Sequence, residues 1–412
     1  MTRVMDTVPV LRGRTDAEAH VGVVCFKQGP PTLIGAELEW LLAHTDDRTT
    51  RPTLPEIARA LGEHAPLSIA PTSAARLLPG GASVTVEPGG QVELSSTPCP
   101  DARTLCDALT TDAHRLAELL AAAGLQMKDS ATDDLRPPLR QLALPRYCAM
   151  EAAFDRVGPY GRLMMCNTAA VQVSVDAGRA GREMSTRWAL LHEAGPALVA
   201  AFACSPRLHG APAGQWASQR MRTWLELDPA RTQSPPVDTE DPAAAYARWA
   251  LDVPLLCIQR SDDGAWTAPP GGSFADWVEG RLDGAVGRAP SAADLDYHLS
   301  TLFPPVRASG YFEVRYLDAQ PGTAWRVPIA LLEGLLRDQS TVDAARTLAG
   351  ATKDRWRDAA RLGLVDDDLR EAGSALLSLA ATRLDDASMA QLVSAAADRV
   401  NRGRTPTEEE YS

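Results

Sequence analysis

This sequence predicts an α+β fold with a largely antiparallel sheet, and three observations carry the prediction. Strand and helix patterns follow one another in irregular order, joined once by a tight hairpin and elsewhere by long excursions. Antiparallel pairing accommodates such an order better than the regular alternation of a doubly wound parallel sheet. No G-x-G-x-x-G follows a strand pattern and no G-x-x-x-x-G-K-[ST] occurs anywhere, so a bound nucleotide is not held by either phosphate loop. The 412 residues are 45% hydrophobic and 23% charged, which supplies a large core and excludes a disordered chain.

The elements follow in order. Residues 1–20 are polar and weakly patterned, and read as a loose lead-in. "HVGVVCF" (20–26) and "LIGAELEWLL" (33–42) read as strands, and "PEIARALGEHA" as a short helix opened by its proline. "VTVEPGGQVELSS" (84–96) is a hairpin: two alternating runs around Pro-Gly-Gly. In "CPDARTLCDALTTDAHRLAELLAAAG" the apolar positions recur every three to four residues, and Gly124 stands where a C-terminal cap belongs. A Pro-rich connection (129–145), a strand in "MCNTAAVQVSVD" and a helix near 183–203 come next. Residues 206–236, rich in Pro, Gly, Ser and Gln, read as long functional loops. "DPAAAYARWALD" is a helix and "SGYFEVRYLD" a strand; from 328 to 402 the pattern is nearly all helical. We therefore expect one domain over 21–402 and a flexible tail over 403–412, although the length also admits two or three domains.

Charge and cysteine content narrow the function. The net charge is −12, and Lys27, Lys128 and Lys353 are the only lysines, so no basic stripe exists to replace nucleic-acid counterions. Seven cysteines form no C-x-x-C pair; they read as reduced, buried, small hydrophobes of a cytoplasmic protein. No signal-like or membrane-spanning apolar run is present, which points to a soluble protein without a membrane partner. With no heptad seam and no long apolar edge, a monomer is expected. His192, His209 and His298 read as structural residues, not catalytic bases.

Side chains alternate along a strand, so each strand sorts into two faces. Glu37 and Glu39 share one face of "GAELEW". Thr85, Glu87, Gln91, Glu93 and Ser95 share one face of the hairpin, opposite Val84, Val86, Val92 and Leu94. Thr168, Gln172 and Ser174 lie opposite Val171, Val173 and Val175, and Glu313 and Arg315 opposite Phe312, Val314 and Tyr316. A wet sheet face explains polar alternation in any single strand. Five glutamates, one arginine and no lysine on four strands are a different matter, because like charges opposite one another destabilise a sheet. A hard divalent cation such as magnesium, which takes carboxylate oxygens and substrate phosphates, would neutralise them. Arg315, Arg222 in "QRMRTW" and Arg146 in "LPRY" could then grip carboxylate or phosphate. Composition and periodicity do not name the substrate.

The same segments resemble the plant-type glutamate–cysteine ligases. The likeness runs from "IGAELEW" through the glutamate hairpin, "RYCAM", "TAAVQVSVD", "CSPRLHGAPAGQWASQRMRTW", "YARWALDVPLLCI" and "HLSTLFPPVR" to "GYFEVRYLDAQPG", in family order over roughly residues 30–340. The resemblance implies a catalytic domain of the glutamine synthetase type, a curved antiparallel sheet lined with metal-binding glutamates. It implies ATP-dependent joining of the L-glutamate γ-carboxylate to the L-cysteine amine through γ-glutamyl phosphate. It makes Glu37, Glu39, Glu87, Glu93 and Glu313 magnesium ligands, and Arg315 and Arg222 catalytic residues that also contact substrate. Arg146, Tyr147, Thr168 and Gln172 join the substrate-binding set, Gln172 standing where relatives carry a metal-contacting side chain. "LPRYCAMEAAFD" and the Arg/Ala-rich composition are similar to the actinobacterial members that supply γ-glutamylcysteine for ergothioneine synthesis. Two alternatives are a γ-glutamyl ligase with another amine acceptor and a non-catalytic glutamate or nucleotide sensor of the same fold.

Overall fold

The computed structural model describes residues 11–237, 239–260 and 264–408; the first and last stretches of the expected lead-in and tail lie outside them. Eight strands occur among the described residues: β1 (Ile34–Trp40), β2 (Leu42–His44), β3 (Ser83–Val86), β4 (Val92–Ser95), β5 (Leu125–Met127), β6 (Ala170–Val175), β7 (Val306–Ala308) and β8 (Phe312–Asp318). Six of them form one sheet in the order β3–β4–β1–β6–β8–β7, every pair antiparallel. β2 and β5 make a separate two-stranded ribbon. An antiparallel sheet flanked by helices is thus what the sequence led us to expect.

Helices precede, interrupt and follow the sheet. They are α1 (Arg14–Cys25), α2 (Leu54–Leu61), α3 (Ala102–Ala122), α4 (Pro145–Phe154), α5 (Tyr160–Asn167), α6 (Arg182–Glu193), α7 (Gly195–Phe202), α8 (Gln219–Leu227), α9 (Pro229–Thr232) and α10 (Pro242–Asp252). Three short helices, α11 (Phe274–Val278), α12 (Asp283–Val286) and α13 (Ala292–Leu299), lead to β7. After β8 come α14 (Arg326–Leu335), α15 (Gln339–Ala349), α16 (Trp356–Leu362), α17 (Asp367–Ala381) and α18 (Ala387–Asn401), the helical C-terminal part expected from 328 onward.

The apolar strand faces hold as sorted. Val84, Val86, Val92, Leu94, Val171, Val173, Val175, Phe312, Val314 and Tyr316 are all buried in the main core, with α3, α7 and α14 packed on that side. The Tyr316 hydroxyl is not wasted there; it donates to the Leu191 carbonyl at 3.0 Å.

Three expectations need correction. Residues 14–25 are helix, so the loose lead-in does not extend to residue 20 and "HVGVVCF" is not a strand. Ala17, Val21 and Cys25 are buried at helical spacing while Val23 is 73% exposed, so docking overrode the strand preference of the valine run. Phe26 then packs its ring 5.3 Å from Trp188 and 5.6 Å from Phe312, and Arg14 clamps Asp252 of α10 at 2.8 and 3.0 Å. Second, the loop region 206–236 contains α8 and α9, with α8 capped by Ser218 through Met221 N–H. Third, six of the seven cysteines are buried, but Cys148 is exposed. The histidines fit their structural reading where they are buried: His192 bonds the Trp188 carbonyl and His298 the Ala250 carbonyl, and burial pushes both down to about 4.

Candidate active site

The polar face of the sheet is not an idle wet surface. α4, α5, α8 and the segment leading to β7 roof it, with Met150, Phe154, Met164, Met165, Leu227 and Phe303 forming a second apolar cluster in that roof. Between roof and sheet lies a cavity of about 230 Å³. Glu37, Glu39, Glu87, Glu93, Gln172 and Thr168 line it from the sheet side, with Arg146, Tyr147, Arg220, Trp224, Arg307 and Arg315 around them.

Strand register sets the carboxylates side by side. Glu39 stands directly across from Glu93, and Glu37 across from Gln172. Glu87 is fixed by the hairpin turn, in which Gly90 N–H bonds the Glu87 carbonyl at 2.9 Å and Gly90 takes φ +87°. Gly89 is required for another reason: a Cβ there would stand 2.3 Å from the Cys166 carbonyl oxygen at the end of α5. Arg51 and Gln141 hold the same turn through the Gly89 carbonyl, each at 3.1 Å.

The electrostatics are those of carboxylates short of cations. Burial, with Glu93 and Glu313 nearby, pushes Glu37 up to about 8; burial and Glu87 do the same to Glu39. Burial, Glu93 and Glu37 raise Glu87 to about 8, and burial with Glu39 raises Glu93 to about 7 although Thr85 and Ser95 donate to it. Gln172 Nε2 donates to Glu37 at 3.1 Å and Glu39 at 2.9 Å, while its buried Oε1 has no partner among the described residues. Glu313 differs. Burial alone would raise it, but Arg315 Nη1 at 2.7 Å and Arg307 Nε at 2.8 Å outweigh burial and hold it low. A bulge lets Arg315 and Tyr316 of β8 oppose Gln172 alone on β6, which aims Arg315 at the cavity beside Trp224.

Most of the residues singled out from sequence therefore meet, with two departures. Glu313 is fully buried beneath the cavity and committed to two arginines. Arg222 is not brought to the cavity: its guanidinium donates to the Pro212 and Ala213 carbonyls and stacks on Trp216 and Tyr160. Arg220 occupies the place expected for it. On a helix Arg220 and Trp224 share a face four residues apart, whereas Arg222 points away; reading 206–236 as loops hid that. Arg307 was also missed, though it follows the strand alternation of "PPVR" and sits directly across from Glu313. Arg146 spends two donors on Ser300, and the Thr168 hydroxyl donates to the Met164 carbonyl. No three carboxylate, imidazole or thiol groups among the described residues converge as a preformed metal cluster.

A second hollow of about 150 Å³ adjoins this cavity at Glu37, lined by Gly35, Ser95, Ser96, Ser174 and Tyr311. No helix among the described residues is long and apolar enough to cross a membrane.

Comparison with known proteins gives this geometry a setting. The model of glutamate-cysteine ligase family 2 (GCS2) matches residues 33–409. The glutamate–cysteine ligase EgtA of Mycolicibacterium smegmatis is 39% identical over 373 residues, 89% of this chain and 84% of that protein. EgtA of Mycobacterium tuberculosis is 36% identical, covering 98% of this chain and 91% of that one. The chloroplastic glutamate–cysteine ligase of Arabidopsis thaliana is 31% identical, over 64% of this chain and 51% of its own length. Among solved structures, a glutamate–cysteine ligase from Francisella tularensis in complex with AMP shares the fold, with TM-score 0.55 at 13% identity, covering 93% of this chain and 84% of that one.

Proposed function

The chain belongs to glutamate-cysteine ligase family 2, and from that premise we propose that the carboxylate cavity joins the γ-carboxylate of L-glutamate to the amine of L-cysteine with ATP. The observation that carries the reading is the arrangement of four glutamates with no guanidinium partner among the described residues, beside arginines suited to phosphate. A carboxylate does not react with an amine near neutral pH, because oxide cannot leave. A γ-carboxylate oxygen therefore attacks the γ-phosphorus of ATP, the bond from that phosphorus to the bridging oxygen breaks, and ADP departs. The neutral cysteine amine attacks the acyl carbon of γ-glutamyl phosphate, phosphate leaves with the carbon–oxygen bonding pair, and the nitrogen gives up its surplus proton to solvent as the amide forms. No enzyme nucleophile is needed, and six buried cysteines agree.

The protein's part is to position and to stabilise charge. Arg315 and Arg307, held a fixed distance apart by Glu313, present guanidinium groups to the phosphoryl group, with Arg220 beside them, its Nη2 donating to the Arg315 carbonyl at 2.7 Å. Arg146 and Tyr147 from α4, with Thr168, line the amino-acid side, and the hollow beside Glu37 and Tyr311 takes the nucleotide's far end. The donor set suits magnesium: all oxygen, and negative charge that the arginines do not cancel. Glu37, Glu39, Glu87 and Glu93 would hold it, joined by Glu313 when a phosphate takes over one of its arginines. Bound there, magnesium supplies neutralisation of the phosphates and of the charge that builds up during transfer. We place the protein in the cytoplasm, supplying γ-glutamylcysteine for ergothioneine synthesis, on its resemblance to the actinobacterial members of the family.

The test is ADP release with magnesium, ATP and L-glutamate, with and without L-cysteine, and the product identified by mass. Cysteine-dependent ADP and a γ-glutamylcysteine mass are expected. ADP with another amine alone would move the specificity, and no ADP with any amine would replace the ligase by a sensor.

A further inference from the structure

Asp318 ends β8, is only 2% exposed, and lines neither hollow of the site. It nevertheless collects three donors. Oδ2 accepts from Cys204 N–H at 3.0 Å and Ser205 Oγ–H at 2.7 Å; Oδ1 accepts from Ser218 Oγ–H at 2.8 Å. Ser218 caps α8, and Ser205, which follows α7, receives the first amides of the same helix. Ser218 is its N-cap and accepts from Met221 N–H at 2.9 Å. Gln219 N–H bonds the Ser205 carbonyl at 2.7 Å, and Arg220 N–H the Ser205 hydroxyl at 3.3 Å. With their hydroxyl protons drawn to Asp318, both serine oxygens are turned to accept from the helix, satisfying amides a helix start leaves open.

The first turn of that helix carries Arg220, whose Nη2 donates to the Arg315 carbonyl at 2.7 Å, and one turn later Trp224 lies under the Arg315 guanidinium. One carboxylate thus ties the strand bearing Glu313 and Arg315 to the helix bearing Arg220. We infer that Asp318 is a positioning residue of this active site: through Ser205 and Ser218 it fixes α8 so that Arg220 faces the reacting phosphoryl group. The inference rests on the cavity being the ligase site. A helix start could be capped by the serines alone; a buried carboxylate binding both hydroxyls adds a fixed direction, and misplacement of a charged group by about 1 Å costs on the order of a hundredfold in rate.

A double-mutant cycle in the full-length protein tests this, with Asp318→Asn, Arg220→Ala and the pair. Removing one donor to a transferring group typically costs about 10²–10³-fold in kcat, and we expect Arg220→Ala to fall in that range. Asp318→Asn should lower kcat roughly ten- to a hundredfold with the KM for glutamate and cysteine moved by less than about threefold. In the Arg220→Ala background the same change should cost less than about twofold, because the group it aims is gone. Equal costs in both backgrounds would make Asp318 a structural residue only, and an Arg220→Ala enzyme with wild-type kcat would overturn the proposal while leaving the ligase reading intact. If the wild type joins no amine, the ligase reading fails by itself. The cycle is then read in calorimetric affinity for magnesium·ATP, where coupling between the two sites is still required and additivity refutes it. Asp318→Glu, which keeps the carboxylate, should recover part of kcat; if Asn unfolds the protein, the Glu variant alone carries the KM-against-kcat comparison.

Discussion

Glu93→Gln separates what the carboxylate row does for activity from what it does to stability. Glu93 is 7% exposed and stands directly across from Glu39. Both hydroxyl donors, Thr85 at 2.5 Å and Ser95 at 3.1 Å, reach the same oxygen, Oε1. Glutamine can therefore keep both bonds through its carbonyl and offer an amide in place of Oε2, at no change in volume. Burial and Glu39 raise the Glu93 carboxyl to about 7 from 4.5. A raised carboxyl contributes its stability below its unfolded pKa and loses it as pH rises through the folded one. Without metal, the wild type should thus match the variant near pH 4 and fall behind it between about pH 4.5 and 7. Above that the gap levels at roughly 3 kcal/mol, taking ~1.4 kcal/mol per pKa unit. For a chain of about 400 residues, with ~2 cal/mol/K of unfolding entropy per residue, that is ~4 °C in Tm. The same variant should lose at least ~100-fold in cysteine-dependent ADP release, having surrendered a charge the phosphoryl transfer requires. Scanning calorimetry across pH, without metal, and steady-state ADP release check the two halves. A variant less stable than wild type at about pH 8, or one with normal turnover, would refute the role given to the Glu93 carboxylate.

Three further outcomes follow. Magnesium must displace protons from carboxylates raised to about 7 and 8, so its stabilisation of the protein should be small near pH 5.5 and grow through about pH 8, read as the Tm difference with and without chelator. Gly89→Ala, which would press a methyl within 2.3 Å of the Cys166 carbonyl, should shift the hairpin turn and Glu87. It should cost about 2–3 kcal/mol of stability and most of the activity, measured by thermal unfolding and ADP release. Arg222→Ala should remove the bracket on the Pro212 and Ala213 carbonyls and cost about 1–3 kcal/mol. Its kcat should stay at least tenfold above that of Arg315→Ala; equal kcat values would return Arg222 to the reaction centre.

The carboxylate row was legible because strand alternation is strict: each glutamate's face follows from its neighbours, and the Pro-Gly-Gly turn fixed the register that sets Glu93 across from Thr85, whereas Glu93 meets Glu39 because β1 lies beside β4. The arginines were less legible because their reach depends on elements the composition disguised. The Pro- and Gly-rich stretch before α8 concealed a nine-residue amphipathic run, and with it the choice of Arg220 over Arg222. α1 was missed because a valine-rich run favours a strand locally, while burial of Ala17, Val21 and Cys25 against the core favours a helix. No sequence pattern announces the bulge that turns Arg315 toward the cavity, nor that Glu313 is shared by Arg307 and Arg315; both depend on which strand lies beside which.

The most direct test of an acyl phosphate in this cavity is isotopic. L-Glutamate labelled with ¹⁸O in its γ-carboxylate is turned over with ATP, magnesium and L-cysteine, and the released phosphate is analysed by mass. One labelled oxygen is expected in each phosphate, matched one for one by γ-glutamylcysteine. Unlabelled phosphate accompanying the same product would mean that the γ-carboxylate was never phosphorylated, and the role given to the glutamates and arginines of this site would be contradicted.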